Sequence, residues 1–546
     1  MSKLNPKATP RPSRKSVAFQ TSSKTADALT YEGAPGFSKD PKNELFLLAV
    51  SNFVGEDTFY EKAGDRDKRY ADLVRMNAQT DPSWTASFLM WLRHEGNMRS
   101  ASIVGAAEFV KARLDLGIDP VFMVAGEGWG SRRVVASVLL RPDEPGDLVA
   151  YWRDRYGLMP MPIKRGVNDA VRRMYTERNL LKYDTPSHGV RFGDVIELTH
   201  PKAGYAAQND LFRHAIDRRH GYNTNPIPES LRMLRANADI RTPMGGFATL
   251  DPVKLAEAGM TWEDTLSYGG QLGLPKSLMW DAIIPEMGYM AILRNLRNFD
   301  DSDISMFSAE YVNRLLQDPG AVAKSRQFPF RFFSAYEALN TDRWRPALNQ
   351  ALALATTNIP DLPGSLVLID TSASMTNQGF SAKSKVTPAK AAAVFGITLG
   401  IRSRAEVWGF ADGQFQHKMA WVASPLREVE RFMKRTGEVG HGTQIADAVK
   451  ATFRPNIHKR VFIISDMQTM NSERVWNYST LRSGDSRTVQ DMVPADVPIY
   501  GFNLGGYAHG AYPLGPKRYE FGGLTDATFK MIPLIEAGEN ARWPWE

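Results

Sequence analysis

The sequence predicts a multidomain protein of α and α/β class, in which an all-α half is followed by an α/β half built on a doubly wound, mostly parallel sheet. Three observations carry this. From about residue 42 to 357, apolar residues recur at helical spacing between loops marked by Gly and Pro, with no convincing strand alternation. Near Asn358 the pattern changes to short apolar runs that alternate with helical segments. One of those runs, Leu366 to Ile369, is apolar throughout, as a strand covered on both faces must be, yet it ends in Asp370, Thr371, Ser372, Ala373 and Ser374 with no turn signal.

The chain opens on a basic stretch. Lys3, Lys7, Arg11, Arg14, Lys15 and Lys24 all precede the first acid, Asp27, among Pro, Ser and Thr that have little to bury. Residues 1–40 therefore read as a flexible basic arm, suited to an anionic polymer or simply solvated. Over the whole chain 67 Lys and Arg face 60 Asp and Glu, a net charge of +7 that is mild for 546 residues. A hydrophobic content of 43% is enough for two or three structural units. The absence of cysteine excludes disulfide staples and cysteine-held zinc. No secretory signal and no membrane-length apolar run is present, so the expectation is a soluble, cytoplasmic protein with no membrane partner.

Residues 41–358 form the helical domain. Asp81-Pro82 reads as a cap and first-turn proline, and the helix runs on through Phe88, Leu89 and Leu92. Ile103, Val104, Ala107, Val110 and Leu114 line one face of the next helix, which Gly117 closes. Further helical segments are expected over 167–182, around 287–296 and over 346–356. Paired helices stacked in an array fit this pattern, although no crisp repeat period emerges. Residues 359–546 form the α/β domain, with strands at 366–369, 406–410, 461–464 and 499–504 and helices over 388–401 and 443–453. In an open parallel sheet ligands bind beyond the carboxyl ends of the strands, which is where Asp370 and Asp466 fall.

Asp370, Ser372 and Ser374 place three oxygen-bearing side chains on alternate residues. Thr443, in "GHGTQIADAV", and Asp466, in "VFIISDMQT", are positioned to join them at the top of the sheet. Two carboxylates and three hydroxyls suit a hard divalent cation, most simply Mg²⁺, with a position left for water or a partner's oxygen. The plainer alternative is that the two aspartates cap helices and the serines satisfy loop backbone. The set resembles the metal-ion-dependent adhesion site of von Willebrand factor A domains. That resemblance implies direct contacts from Ser372, Ser374 and Thr443, with Asp370 and Asp466 acting largely through water. Gln444 stands where many relatives carry an acid.

In "PMPIKRGVNDAVRRMYTERNLLKYDTPSHGVRFGDVIELTHPKA", residues 160–203, helical spacing buries Val167, Ala170, Val171 and Met174. It leaves Lys164, Arg165, Arg172 and Arg173 on the other side, extended by Arg178 and Lys182, a row able to track phosphates or to stand as a solvated face. Arg93, His94, Arg99, Arg132, Arg133, Arg294 and Arg297 are further basic candidates. Trp84, Trp91 and Trp344 read as core.

"RFGDVIELTHPKA" at 191–203, "IIPEMGYMAILRNLRNF" at 283–299 and "RQFPFRFFSAYEAL" at 326–339 together resemble the TROVE module of the Ro 60 kDa autoantigen and its bacterial relatives. The resemblance implies a HEAT-like helical ring joined to a Rossmann-like von Willebrand factor A domain. It also implies RNA binding without catalysis, of small noncoding Y-like RNA and of single-stranded ends of misfolded RNA, in RNA quality control or processing. The basic segment and His200 of "LTH" then fall in the RNA-binding region. Arg191-Phe192 occupies a place where family members often carry a histidine. Further expectations are a monomer and an exoribonuclease or other protein partner through the A domain. The rival from another class is a Mg²⁺-dependent protein-interaction scaffold. An enzyme has no nucleophile and base to point to.

Overall fold

The structure, a computed structural model, describes residues 18, 24–51, 54–117, 121–222, 226–241, 251–381, 385–420, 424–470, 488–538 and 542–545. Helices fill the first half from Pro41–Ser51 to Arg345–Ala355. The expected starts and stops hold where local chemistry is strong. Asp81 accepts the amide of Trp84 at 3.1 Å and Pro82 opens the helix Pro82–His94, while Gly117, at φ +72°, closes the helix Arg99–Asp115. Trp84, Trp91 and Trp344 are core residues.

Three readings change. The segment 167–182 is two helices, Met161–Met174 and Glu177–Tyr183, because the buried Tyr175 turns inward onto Phe192, ring centroids 3.9 Å apart, and Thr176 then caps the second helix by accepting the amide of Asn179. A short hairpin, Phe122–Val124 with Glu127–Trp129, interrupts the helices. The basic arm does not run to residue 40: Ala28–Leu29 and Pro35–Ser38 pair with each other, and the second strand pairs with His509–Gly510 of the α/β domain. Residues 1–17 and 19–23, which hold most of the arm's charge, lie outside the described residues.

The α/β domain carries a six-stranded sheet in the order Arg518–Gly522, Ile499–Asn503, Arg460–Ser465, Ser365–Asp370, Glu406–Phe410, Gln414–His417. All neighbours are parallel except the last pair. The central strand Ser365–Asp370 is buried along its whole length, which explains its unbroken apolar run. The helix Pro388–Ser403 covers it, capped by Thr387. The edge strand Gln414–His417 gives no sequence signal, being short and polar.

The helical half leaves the A domain and returns to it. At its start, Ser51 donates to the Asn503 carbonyl at 2.9 Å, and the Arg66 guanidinium reaches the Gly505 carbonyl at 3.0 Å. Gly506, at φ +65°, lets the two backbones close, since a Cβ there would meet the Leu47 carbonyl at 3.0 Å. Trp543 and Trp545 stack on each other and pack against Phe46 and Trp84. At its end, Lys390 pairs with Glu337 at 2.8 Å, Ser424 donates to Asn349 at 2.6 Å, and Arg402 donates to the Ala353 and Ile359 carbonyls.

Candidate functional site

The top of the sheet gathers the residues expected to hold a cation. Asp370 ends the central strand, and its carboxylate accepts the amide of Ser372 at 2.8 Å and the hydroxyl of Ser465 at 2.5 Å. The hydroxyls of Ser372 and Ser374 lie 3.2 Å apart. Asp466 follows the neighbouring strand Arg460–Ser465 and accepts the amide of Gln468 at 3.1 Å. Thr443 lies two residues before the helix Ile445–Thr452, and its carbonyl accepts from Met470 at 2.7 Å and from the Thr469 hydroxyl at 3.1 Å, which ties its loop to that of Asp466. The Ala373 amide donates to the His441 carbonyl at 2.8 Å, so the same loop also meets the serine turn.

The electrostatics of this cluster are unbalanced. Asp370 and Asp466 are buried, and neither enters an ion pair among the described residues. Burial pushes both carboxyls well above the ordinary carboxylate range, and mutual repulsion adds to the shift at Asp466. Two buried carboxylates with hydroxyl neighbours and no basic partner are a costly arrangement, which a divalent cation would offset. A cavity of about 30 Å³, lined among others by Ser374, Asp466, Gly505 and Tyr507, opens beside them, large enough for one small ion or water. Among the described residues no three His, Cys, Asp or Glu side chains converge as a metal cluster. The donor set is instead this mixed carboxylate and hydroxyl one, and its all-oxygen chemistry fits Mg²⁺.

Three residues at this site have no counterpart in the sequence reading. Ser465 anchors Asp370, and its only signal is its place beside Asp466 in "ISD". Tyr60 and Glu32 come from the chain's first sixty residues, and their hydroxyl and carboxylate are hydrogen-bonded to each other. Tyr60 also interacts with the Ser374 hydroxyl and with the Asp466 charge.

The basic candidates separate into two groups. Lys164, Arg165 and Arg172 lie on the helix Met161–Met174 and enter no ion pair among the described residues; Arg165 and Arg172 are exposed and Lys164 is half-buried. Arg173 is exposed but donates to the Ala136 and Leu139 carbonyls near the end of the helix Ser131–Val138. Arg178 pairs with Glu286 at 3.1 Å, and Lys182 lies over the Tyr183 ring. His200 is exposed and caps the helix Phe192–Thr199 in the left-handed region at φ +52°.

The structure brings the basic helix and the His200 loop together. Asn168 donates to the Thr199 carbonyl at 3.0 Å, and Gln208 donates to the Arg172 carbonyl at 3.0 Å. Beside them lies an open groove lined by Glu197, His200, Asn209 and Arg213, which adds Arg213 to the set. Arg191 and Phe192 point elsewhere: Arg191 pairs with the buried Asp184, and Phe192 stacks on Tyr175. Of the other basic candidates, Arg93 is buried and paired with Glu144, and Arg99 is half-buried and paired with Asp143, Glu144 and Asp147. Arg132, Arg133 and Arg297 are tied to Asp169, Glu127 and Asp301, and Arg294 is exposed.

A helical half that begins and ends on a doubly wound domain with oxygen donors at its strand ends defines the class, a helical array closed by an A-type domain. Residues 252–362 match the TROVE domain. Over 89% of this chain the fold is similar to that of the Ro (RSR) protein of Deinococcus radiodurans, with a TM-score of 0.55 and 16% sequence identity over 99% of that chain. Telomerase protein component 1 of Rattus norvegicus and that of Mus musculus are each 39% identical over 82 residues, 15% of this chain. The chain spans only 3% of the length of those two relatives. A TROVE-domain match over residues 252–362 thus sits within a chain of Ro-like fold.

Proposed function

We propose that this is a non-catalytic RNA-binding protein of ribonucleoprotein type. It holds a small, noncoding Y-like RNA on the basic face of its helical half and takes up single-stranded ends of misfolded RNA, in RNA quality control or processing. The observation that carries this is the pair Arg165 and Arg172, exposed and without ion pairs among the described residues, on a helix hydrogen-bonded to the His200 loop. Guanidinium groups left free of internal carboxylates are available to phosphate oxygens, and each such contact made with RNA releases counterions. Lys164 and His200 complete the surface, with Arg173, Arg178 and Lys182 at its edge.

The A domain would hold Mg²⁺ through Ser372, Ser374 and Thr443, with Asp370 and Asp466 supplying the negative charge. When bound, the cation balances the two buried carboxylates and ties three loops at the strand ends. The chain's own residues position those donors: Ser465 orients Asp370, and Gln468 orients Asp466. Among the described residues no helix is long and apolar enough to cross a membrane.

A filter-binding titration with a small structured RNA bearing a 3′ single-stranded tail, against its blunt version, at two salt concentrations tests the RNA reading. Tight, tail-preferring binding that weakens steeply with salt supports it. Weak binding indifferent to the tail overturns it and leaves the A domain as the centre of function.

A further inference from the structure

The cation site is covered by the chain itself. Tyr31 and Thr30 fasten the segment 28–38 to the loop that follows Asp466: the Tyr31 amide donates to the Gln468 side chain at 2.9 Å, and the Thr30 hydroxyl donates to the Thr469 carbonyl at 2.7 Å. Gly33 bridges Met470 on the same loop. A second segment lies against the serine turn from the other side, where the Gln378 side chain donates to the Asp57 carbonyl at 2.8 Å. Tyr60 joins the two segments, since its ring stacks on Tyr31 at 5.2 Å and packs edge-on against Tyr507 at 5.4 Å. Its hydroxyl lies between the Glu32 carboxylate and the Ser374 hydroxyl. Under this cover Ser374 and Asp466 are 6% and 3% exposed, although both sit at the open end of a parallel sheet.

A cation held only by hydroxyls and water-separated aspartates has room for one more hard, anionic oxygen, which in an open site an outside protein could supply. Here Glu32, half-buried, brings a third carboxylate whose charge reaches Asp466 and which stands one hydroxyl away from Ser374. It enters no ion pair among the described residues, and its hydrogen-bonded partner there is Tyr60. We propose that Glu32 is an internal ligand of the cation site, so that a bound divalent cation fastens the 28–38 segment onto the A domain instead of a second protein. This rests on the reading of Asp370, Ser372, Ser374, Thr443 and Asp466 as a cation site. The cation then acts as a staple: it joins residues more than 330 positions apart and strengthens the junction at which the helical half begins. A partner gains access to the site only after this segment lifts.

Full-length protein, stripped with EDTA, is titrated with Mg²⁺ by calorimetry alongside Glu32→Gln, and hydrogen exchange of residues 28–38 is followed with and without Mg²⁺. The proposal expects wild-type binding, at least a ten-fold weaker affinity in Glu32→Gln, and Mg²⁺-dependent slowing of exchange in the segment in wild type alone. Wild-type binding that Glu32→Gln reproduces within two-fold, with exchange indifferent to Mg²⁺, overturns the role of Glu32 and leaves the cation site standing. No Mg²⁺ heat in wild type overturns the cation site and the proposal with it. Should Glu32→Gln fail to fold, Glu32→Ala takes its place in the same two measurements and is held to the same outcomes.

Discussion

The guanidinium of Arg93 donates to the carboxylate of Glu144 at 2.6 Å inside the helical half, with Arg93 5% and Glu144 0% exposed. Glu144 also accepts the amides of Leu140 and Arg141, and Arg93 reaches the Val138 carbonyl, so the pair closes the turn between two helices. Removing Arg93 takes from the buried Glu144 its closest ionic partner and leaves Arg99, at 3.2 Å, to balance it, so the cost approaches without reaching the roughly 3–5 kcal/mol of a fully uncompensated buried charge. Arg93→Ala is therefore expected to lower the melting temperature strongly, while the protein that remains folded binds RNA with unchanged affinity and salt slope. A denaturant melt together with a filter-binding titration checks both halves of that statement. A loss of RNA affinity at unchanged stability would put Arg93 at the interface.

Arg165 and Arg172 call for the opposite outcome. Both are exposed and outside any ion pair among the described residues, so Arg165→Glu with Arg172→Glu should change the unfolding free energy by no more than about 0.5 kcal/mol per site. RNA affinity should fall by ten-fold or more. The slope of log affinity against log salt should become shallower by about 0.7 for each single-strand phosphate that the protein no longer neutralises. Arg173 makes a poorer probe, because its charge serves the Ala136 and Leu139 carbonyls and reversal would disturb that helix end. A double mutant that binds RNA as wild type does would remove this helix from the interface.

How much of this was legible in the sequence depends on the range of the interaction. The strand Ser365–Asp370 and the helix starts at Pro82 and Pro388 are written locally, in apolar runs, caps and first-turn prolines, and they appear where expected. Asp370 and Asp466 were legible because a parallel sheet places the ends of its central strands together. The break at Tyr175 was not, because the stretch 167–182 keeps helical periodicity that masks the Thr176 cap, and the docking of Tyr175 on Phe192 is a contact the local sequence does not announce. The same limit hid the fate of the arginines. Arg93 and Arg165 look alike in sequence, and what separates them is Glu144, 51 residues from Arg93. Glu32 and Tyr60 were invisible as site residues, since Ser374, which Tyr60 meets, lies more than 300 positions away, and the sequence reads Glu32 as part of the flexible basic arm and Tyr60 as part of the helical domain.

The unbalanced charge at the sheet top predicts a crossing of stabilities. Without a cation, Asp370 is a buried carboxylate with two hydrogen-bond donors and no ion pair among the described residues, and its replacement by the neutral, isosteric asparagine relieves repulsion with Asp466. Asp370→Asn should melt no lower than wild type in EDTA. In millimolar Mg²⁺ the order should reverse, because a ligand that binds only the native state stabilises it by about 2.7 kcal/mol at a hundred-fold excess over its dissociation constant. Thermal melts of both proteins in the two buffers test this. A wild type whose melting temperature ignores Mg²⁺ would remove the cation from this site.

The junction between the halves yields the last prediction. Trp543 is 2% exposed and packs against Phe46 and Trp84 from the helical half, while Trp545 stacks on it. Trp543→Ala removes a large buried side chain, at a cost of about 3–5 kcal/mol, and the loss falls on the packing that holds the two halves together at the start of the helical half. The Lys390–Glu337 and Ser424–Asn349 pairs at its other end stay intact. The expected result is that a single cooperative unfolding transition separates into two, with the helical half opening first at its amino-terminal side. Hydrogen exchange should then rise in Pro41–Ser51 and Ala63–Thr80 before it rises in the central strand Ser365–Asp370. A uniform fall in stability with one sharp transition would instead mean that the two halves unfold as one body whatever the state of this aromatic cluster.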